Sequence, residues 1–239
     1  MIRAIAIETS GRLGSVALAE DGIAVAHDTF AHGLMHAAEM VPRIDALIKA
    51  RGWKPADARE IYVSAGPGSF TGLRIGITFA KTLAYATGAR AIAVPTVEVL
   101  ARNAPPNARH VLIVLDAKRD QIFTARLTRI ASDGWTYDEP AHLDSLANML
   151  ARSPRPIHLI GEGIPYHEKF LPAADPGIIL TLPDRWRAQA GKVATIGYAI
   201  ARSGVPADAQ SLAPIYIRRP EAEEKYEDRS IRRFNAGTC

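Results

Sequence analysis

One stretch of the chain, Ser64-Ala65-Gly66-Pro67-Gly68-Ser69-Phe70-Thr71-Gly72-Leu73-Arg74, has the residue types of an anion cradle. Gly66 and Gly68 around Pro67 permit a tight turn, and Ser69 or Thr71 can cap a helix that follows. Free N–H groups at a helix start favour negative charge. A phosphate site is therefore the first chemistry to weigh, beside an ordinary strand–turn–helix corner. The spacing is wrong for a P-loop, because no Lys-Ser or Lys-Thr follows the glycines. Ser69 also lacks the Gly-x-Ser-x-Gly setting of a nucleophile elbow. His32 and His36 are four apart and could share a helical face as metal ligands do. The residues between them, Gly33-Leu34-Met35, offer no Glu for a zinc peptidase, and no third ligand is evident nearby.

Beyond the loop, Gly72, Gly76, Ala80 and Ala84 fall on one i±4 row, which lets another element approach closely. Two glycines inside a helix cost about 1 kcal/mol each relative to alanine, so a packing gain is expected to offset them. That gain comes either from a helix of another chain or from tight packing onto the protein's own sheet.

The rest of the chain must position these residues. At 239 residues it suits one large domain or two small lobes. An apolar share of 48% with 23% charged residues is ordinary for a globular protein. The one cysteine, Cys239, is the last residue, so no intrachain disulfide forms and a reducing cytoplasm is the expected location. No apolar run approaches the roughly 20 residues that span a bilayer, and Met1 leads directly into a strand pattern, not a signal peptide. The formal charge of +4 tolerates a nucleic-acid partner without arguing for one.

In chain order, residues 2–7, 15–19 and 23–30 read as strands, with Asp21-Gly22 a hairpin signal. Leu34, Ala38, Val41, Ile44, Leu47 and Ile48 recur at helical spacing up to Gly52, and Pro42 should kink that helix or mark its start. A strand over 61–65, a helix over 71–87, a strand over 91–94 and a helix over 96–102 complete a first unit, and 103–107 is a linker. The same order then begins again. Strands are expected over 111–115, 121–130, 134–137, 157–160 and 178–182, and helices over 145–151, 166–171 and 184–202. Two successive βββαβαβα units predict a duplicated α/β architecture with a cleft between lobes. The expected divisions are 1–104, 107–217 and a tail, 218–239. Between Arg218 and Arg233 that tail mixes six basic with five acidic residues and reads as a solvated extension.

At residues 64–76 the chain resembles the signature of the TsaB (YeaZ) family, the small paralogue in bacterial machinery that makes threonylcarbamoyladenosine at adenosine 37 of tRNA. Lys81 and Val94-Pro95-Thr96 also fit. So do Glu8-Thr9-Ser10 (the family more often has Asp-Thr-Ser), His36 with Val41-Pro42, Asp116-Ala117-Lys118-Arg119, Gly161-Glu162-Gly163 and Pro214-Ile215-Tyr216-Ile217-Arg218. The resemblance implies the two-lobed architecture of actin, sugar kinases and Hsp70, a fold of the RNase H-like kind. It further implies a non-catalytic scaffold that pairs through first-lobe helices with the larger catalytic paralogue, TsaD. A small ATPase subunit, TsaE, would engage the pair, and tRNA would be reached only through the complex. ATP or ADP would sit at the assembled interface, and the isolated chain can pair with itself. On that basis the partner-binding residues are Leu34, Val41, Ile44, Gly72, Ile75, Gly76, Phe79, Ala80 and Ala84.

Enzymes of that architecture need carboxylates for a hydrated cation and glycine-bordered turns around phosphates. Glu8 and Asp116 end the first strand of each lobe, and with Ser10, Gly66, Gly68, Ser69, Gly161 and Gly163 they outline the expected nucleotide cleft. Lys118-Arg119-Asp120 crowds the second turn, and Gly161-Glu162-Gly163 stands where such kinases lodge adenosine. TsaD binds metal through His-x-x-x-His just after the strand equivalent to 91–94, whereas residues 94–101 here hold no His. No catalytic residue and no metal site are therefore expected. The rival reading is an autonomous actin-like nucleotide-dependent kinase or hydrolase.

Overall fold

The computed structural model describes residues 1–31, 36–130, 134–204 and 209–218. Strands β1 (Arg3–Glu8), β2 (Leu13–Glu20) and β3 (Ile23–Ala31) form an antiparallel meander, joined by Asp21 and Gly22 at φ +47° and +81°. These are the left-handed angles that a two-residue hairpin turn requires. Helix α1 (His36–Ala50), β4 (Glu60–Gly66), α2 (Phe70–Thr87), β5 (Arg90–Pro95) and α3 (Thr96–Ala101) follow, with β4 and β5 parallel to β1. The order across this sheet is β3-β2-β1-β4-β5.

The second unit repeats it. β6 (His110–Asp116), β7 (Ile122–Arg129), β8 (Trp135–Asp144), α4 (Leu146–Ala151), β9 (Ile157–Ile160), α5 (Ile164–His167), β10 (Ile178–Leu180) and α6 (Ala190–Arg202) give a sheet ordered β10-β9-β6-β7-β8. Read from its first strand, that is the same order as the first sheet. The duplicated α/β architecture expected from the sequence is the one found.

Strand alternation decides which face each helix covers. Ile5, Ile7, Val16, Leu18, Ile61 and Val63 meet α1 and α2, while Ala4, Ala6, Ala17, Ala19 and Tyr62 meet α6 on the other face. Small side chains on that second face let α6 come close. A Cβ at Gly197 would lie 2.4 Å from the Tyr62 ring. α6 therefore packs on the first sheet although it ends the second unit. Conversely, Val97, Leu100 and Ala101 of α3 pack on Val111, Ile113, Ala125 and Leu127 of the second sheet. Each unit lends its last helix to the other. The other face of the second sheet meets α4 and α5 through Leu112, Val114, Met149 and Ile164.

Boundaries differ from expectation at β8, at α6 and at α5, which covers Ile164–His167 where a helix over 166–171 was expected. β8 runs ten residues, through Asp144, because β7 offers a full-length partner. α6 begins at Ala190, not Asp184: the side-chain amide of Asn103 donates to the carbonyls of Arg185 (3.1 Å) and Arg187 (2.6 Å), and Trp186 Nε1 donates to Thr181 O. Those contacts hold the approach to α6 out of helical form. Of the two places open to Pro42, inside the helix or at its start, the structure has the first: it stands inside α1.

The small-residue row of α2 needs a larger correction. Gly72, Gly76, Ala80 and Ala84 are buried within the chain. A Cβ at Gly72 would lie 2.0 Å from the carbonyl oxygen of Thr9, and one at Gly76 would lie 2.3 Å from Thr9 Oγ1 and 3.3 Å from Val63. Thr9 Oγ1 donates to Gly72 O at 2.8 Å, which locks the helix to the end of β1. The row faces its own sheet. Ile44 is likewise core, so these five residues are not a surface for another chain.

Gly72→Ala should therefore destabilise the isolated protein by about 1–3 kcal/mol through overpacking. Thr78→Ala, on the exposed side of the same helix, should stay within about 0.5 kcal/mol. Urea denaturation of the two variants checks this.

Candidate functional site

The end of β1 and the loop after β4 meet where an anion cradle was expected. Glu8 is fully buried. Its Oε1 accepts from the Ser10 backbone N–H at 2.6 Å and from the Ser10 hydroxyl, and its Oε2 accepts from the Ser64 hydroxyl. Burial raises its carboxyl above the usual glutamate value despite these three donors, and the nearby Glu162 pushes in the same direction. A carboxyl so enclosed cannot hold a hydrated cation, which needs water on its open side.

The glycine loop is equally occupied. Ser69 N donates to Ser10 O at 2.7 Å, and Ser69 Oγ caps α2 by accepting from Gly72 N at 3.2 Å. A Cβ at Gly68 would lie 2.5 Å from Ser10 O. Gly66 has φ +118°, and a Cβ there would lie 2.8 Å from the carbonyl oxygen of Ile215. Ile215 N in turn donates to Ala65 O at 2.7 Å. The segment 212–218 continues as a strap between the two halves: Leu212 joins the first core, Tyr216 packs on Phe70 at 5.2 Å, and Arg218 donates to Ala117 O at 2.6 Å and to the Gln121 side chain.

On the second sheet, Asp116 Oδ1 pairs with His167 Nε2 at 3.0 Å and accepts from Lys118 N at 3.2 Å. Lys118, Arg119 and Asp120 have φ +59°, +54° and +56°. Three successive left-handed residues other than glycine are a strained turn, at about 1–2 kcal/mol each. Gly161 (φ +141°) and Gly163 pack against the end of β6, where Cβ atoms would lie 2.1 Å from Val114 O and 2.5 Å from Asp116 N. Glu162 between them reaches the first half of the chain. Its Oε2 accepts from Arg12 N at 2.9 Å and its Oε1 lies 3.7 Å from Arg187 Nε.

The structure thus brings Glu8, Ser10, Gly66, Gly68 and Ser69 into one cluster and Asp116, Gly161 and Gly163 into another. Besides the strap, Glu162 with Arg12 links them, and neither was singled out as a site residue from the sequence. The glycines on both sides of Glu162 were the available signal: they bring the backbone against β6 and aim the one side chain between them. The strap residues Ile215 and Tyr216 and the buried His167 were also missed as neighbours of these clusters. Among the described residues, no group of three His, Cys, Asp or Glu side chains is placed to hold a metal ion.

Of the remaining expected contact residues, Val41 is exposed on α1. Ile75 and Phe79 are half-buried beside the first core. Farther along α2, Tyr85 is 93% exposed. Leu34, His32 and the tail from 219 onward lie outside the described residues.

Residues 33–173 match the family model described as TsaD: tRNA N6-adenosine threonylcarbamoyltransferase. The tRNA threonylcarbamoyladenosine biosynthesis protein TsaB of Bacillus subtilis is 29% identical over 227 residues, which is 93% of this chain and 96% of that protein. The protein of the same name from Escherichia coli is 31% identical over 140 residues, 58% of this chain and 60% of that one. Among solved structures, YeaZ from Pseudomonas aeruginosa superposes with a TM-score of 0.76 at 22% identity, covering 90% of this chain and all of that one. At that identity the likeness speaks for a shared fold.

Glu8 provides a test by pH. A carboxyl whose folded value is raised favours the fold while it is protonated. That contribution is complete below its unfolded value, near the ordinary glutamate range, and is lost as pH rises through the folded value. Glu8→Gln lacks this loss. Relative to the wild type, its melting temperature should rise as pH is taken from acid to neutral, which a series of thermal melts would record.

Proposed function

The chain belongs to the TsaD family, is similar over nearly its whole length to a TsaB relative, and from that premise we propose that it is a non-catalytic scaffold subunit. In this reading it binds and stabilises the larger catalytic paralogue, TsaD, for threonylcarbamoyl transfer to adenosine 37 of tRNA. The small ATPase subunit TsaE engages the assembled pair, ATP or ADP sits at their interface, and tRNA is reached through the complex. Alone, the chain pairs with itself through the same face.

The structural observation that carries this reading is the state of the cleft. The backbone groups and carboxyls that a phosphate or its cation would use are taken by the protein itself: Ser69 N by Ser10 O, Glu8 by Ser10 and Ser64, and Arg12 N by Glu162. The outer side of α1 and α2 is open, with Val41 and Tyr85 exposed and Ile75 and Phe79 at its margin. Buried aromatic anchors dominate protein interfaces, and an aromatic side chain this exposed fits such an anchor. The contact face moves with this: the glycine row seats α2 on its own sheet, so the opposite side of the helix meets the partner.

Tyr85→Asp should leave the fold within about 0.5 kcal/mol, as for other surface changes, and should weaken copurification with the larger paralogue by about thirtyfold or more. Retained copurification would place the contact elsewhere. The pure chain should show no steady-state ATP turnover; turnover that Glu8→Ala or Asp116→Ala abolishes would instead establish the autonomous kinase or hydrolase.

A further inference from the structure

The first turn of this fold, between β1 and β2, presents a backbone N–H toward the second half of the chain. We propose that the Glu162 carboxylate is a built-in anion that fills the oxyanion seat at this turn and latches the two halves across the cleft.

Four independent features build the seat. Arg12 N donates to Glu162 Oε2 at 2.9 Å, and the Arg187 guanidinium lies 3.7 Å from Oε1, so one oxygen meets a backbone N–H and the other a cation. Gly11 makes room: a Cβ there would lie 2.8 Å from Oε2, closer than side-chain atoms pack. Gly161 and Gly163 seat the base of the latch on β6, where any Cβ would strike Val114 O or Asp116 N. The Arg12 side chain turns the same way, with its guanidinium 5.0 Å from the Tyr166 ring in α5. Both ends of Arg12 therefore hold the second half of the chain.

The chemistry is that of a carboxylate or phosphate oxygen on a backbone N–H backed by a guanidinium. Charge-assisted hydrogen bonds of this kind are roughly twice as strong as neutral ones. A cavity of about 350 Å³, lined by Leu13, Gly14, Ser15 and Arg187 among others, lies alongside and admits a small solute to the Arg187 side. While Glu162 is in place, a free oxyanion meets both an occupied donor and a like charge. The latch does two things at once: it sets the relation of the halves and keeps phosphate away from the turn. This inference does not depend on the scaffold reading.

Hydrogen exchange followed by mass spectrometry tests it. Glu162→Ala vacates the seat, and amide exchange over residues 9–14 and 161–166 should rise together by about tenfold, the effect of losing one charged hydrogen bond. Sodium formate or inorganic phosphate should slow exchange again over 9–14 in this variant, whereas sodium chloride at matched ionic strength should not. Gly11→Ala pushes the carboxylate off while its methyl blocks the seat, so the same rise should appear without rescue by formate. Unchanged exchange, a rise confined to 9–14, or formate no better than chloride would overturn the proposal. Should Glu162→Ala fail to fold, unchanged exchange in Gly11→Ala would overturn it alone.

Discussion

The close approach of α2 to the end of β1 is the constraint on which the first half of the molecule depends. A backbone carbonyl, Thr9 O, occupies the space that a Cβ at Gly72 would take, and the Thr9 hydroxyl occupies the corresponding space at Gly76. Helix glycines are costly, but here they let Thr9 bond to Gly72 O and let Ile7 and Val63 pack beneath the helix. The placement propagates. With α2 drawn down onto β1, the loop before it is pressed against Ser10, and Ser69 N must donate to Ser10 O. The same glycine-rich loop that suggests an anion site is thus a joint between two strands and a helix.

The exchange of terminal helices ties this joint to the rest. α3 lies on the second sheet and α6 on the first, so neither half has a complete core without the other's last helix. Buried charge reinforces the seat of α6 on the first sheet. Glu60 accepts from Arg90 at one oxygen and from Arg202 of α6 and the Tyr62 hydroxyl at the other. A buried carboxylate is tolerable when its charge and lone pairs are matched in this way. The cleft between the halves is spanned again by the 212–218 strap and by Glu162. At the cleft, Ser69 N is taken by Ser10 O, Glu8 by Ser10 and Ser64, and Arg12 N by Glu162.

Much of this was legible in the residues. Residues 2–7 read as a strand, Asp21-Gly22 marks a hairpin, and residues 71–87 read as a helix close to the observed Phe70–Thr87. These signals are local: the period of side chains and the conformational range of glycine are properties of a few neighbouring residues. The family signature is legible for the same reason, being one contiguous run.

Which surface each pattern meets was not legible. The row Gly72, Gly76, Ala80 and Ala84 has one spacing whether it packs on another chain or on its own sheet, and only the folded position of Thr9 chooses between them. α6 carries an apolar stripe that would cover either sheet, and the alanines of β1 and β2 leave the space that admits it to the first. Glu162 and Arg12 are 150 positions apart, and their contact exists only because both sheets present their strand ends to one cleft. The sequence by itself determined the duplicated units, their elements and the family, because those rest on short-range periodicity and contiguous motifs. The tertiary structure alone decided that the small-residue face is internal and that the cleft is self-filled, because occupancy of space depends on side chains brought together from distant parts of the chain.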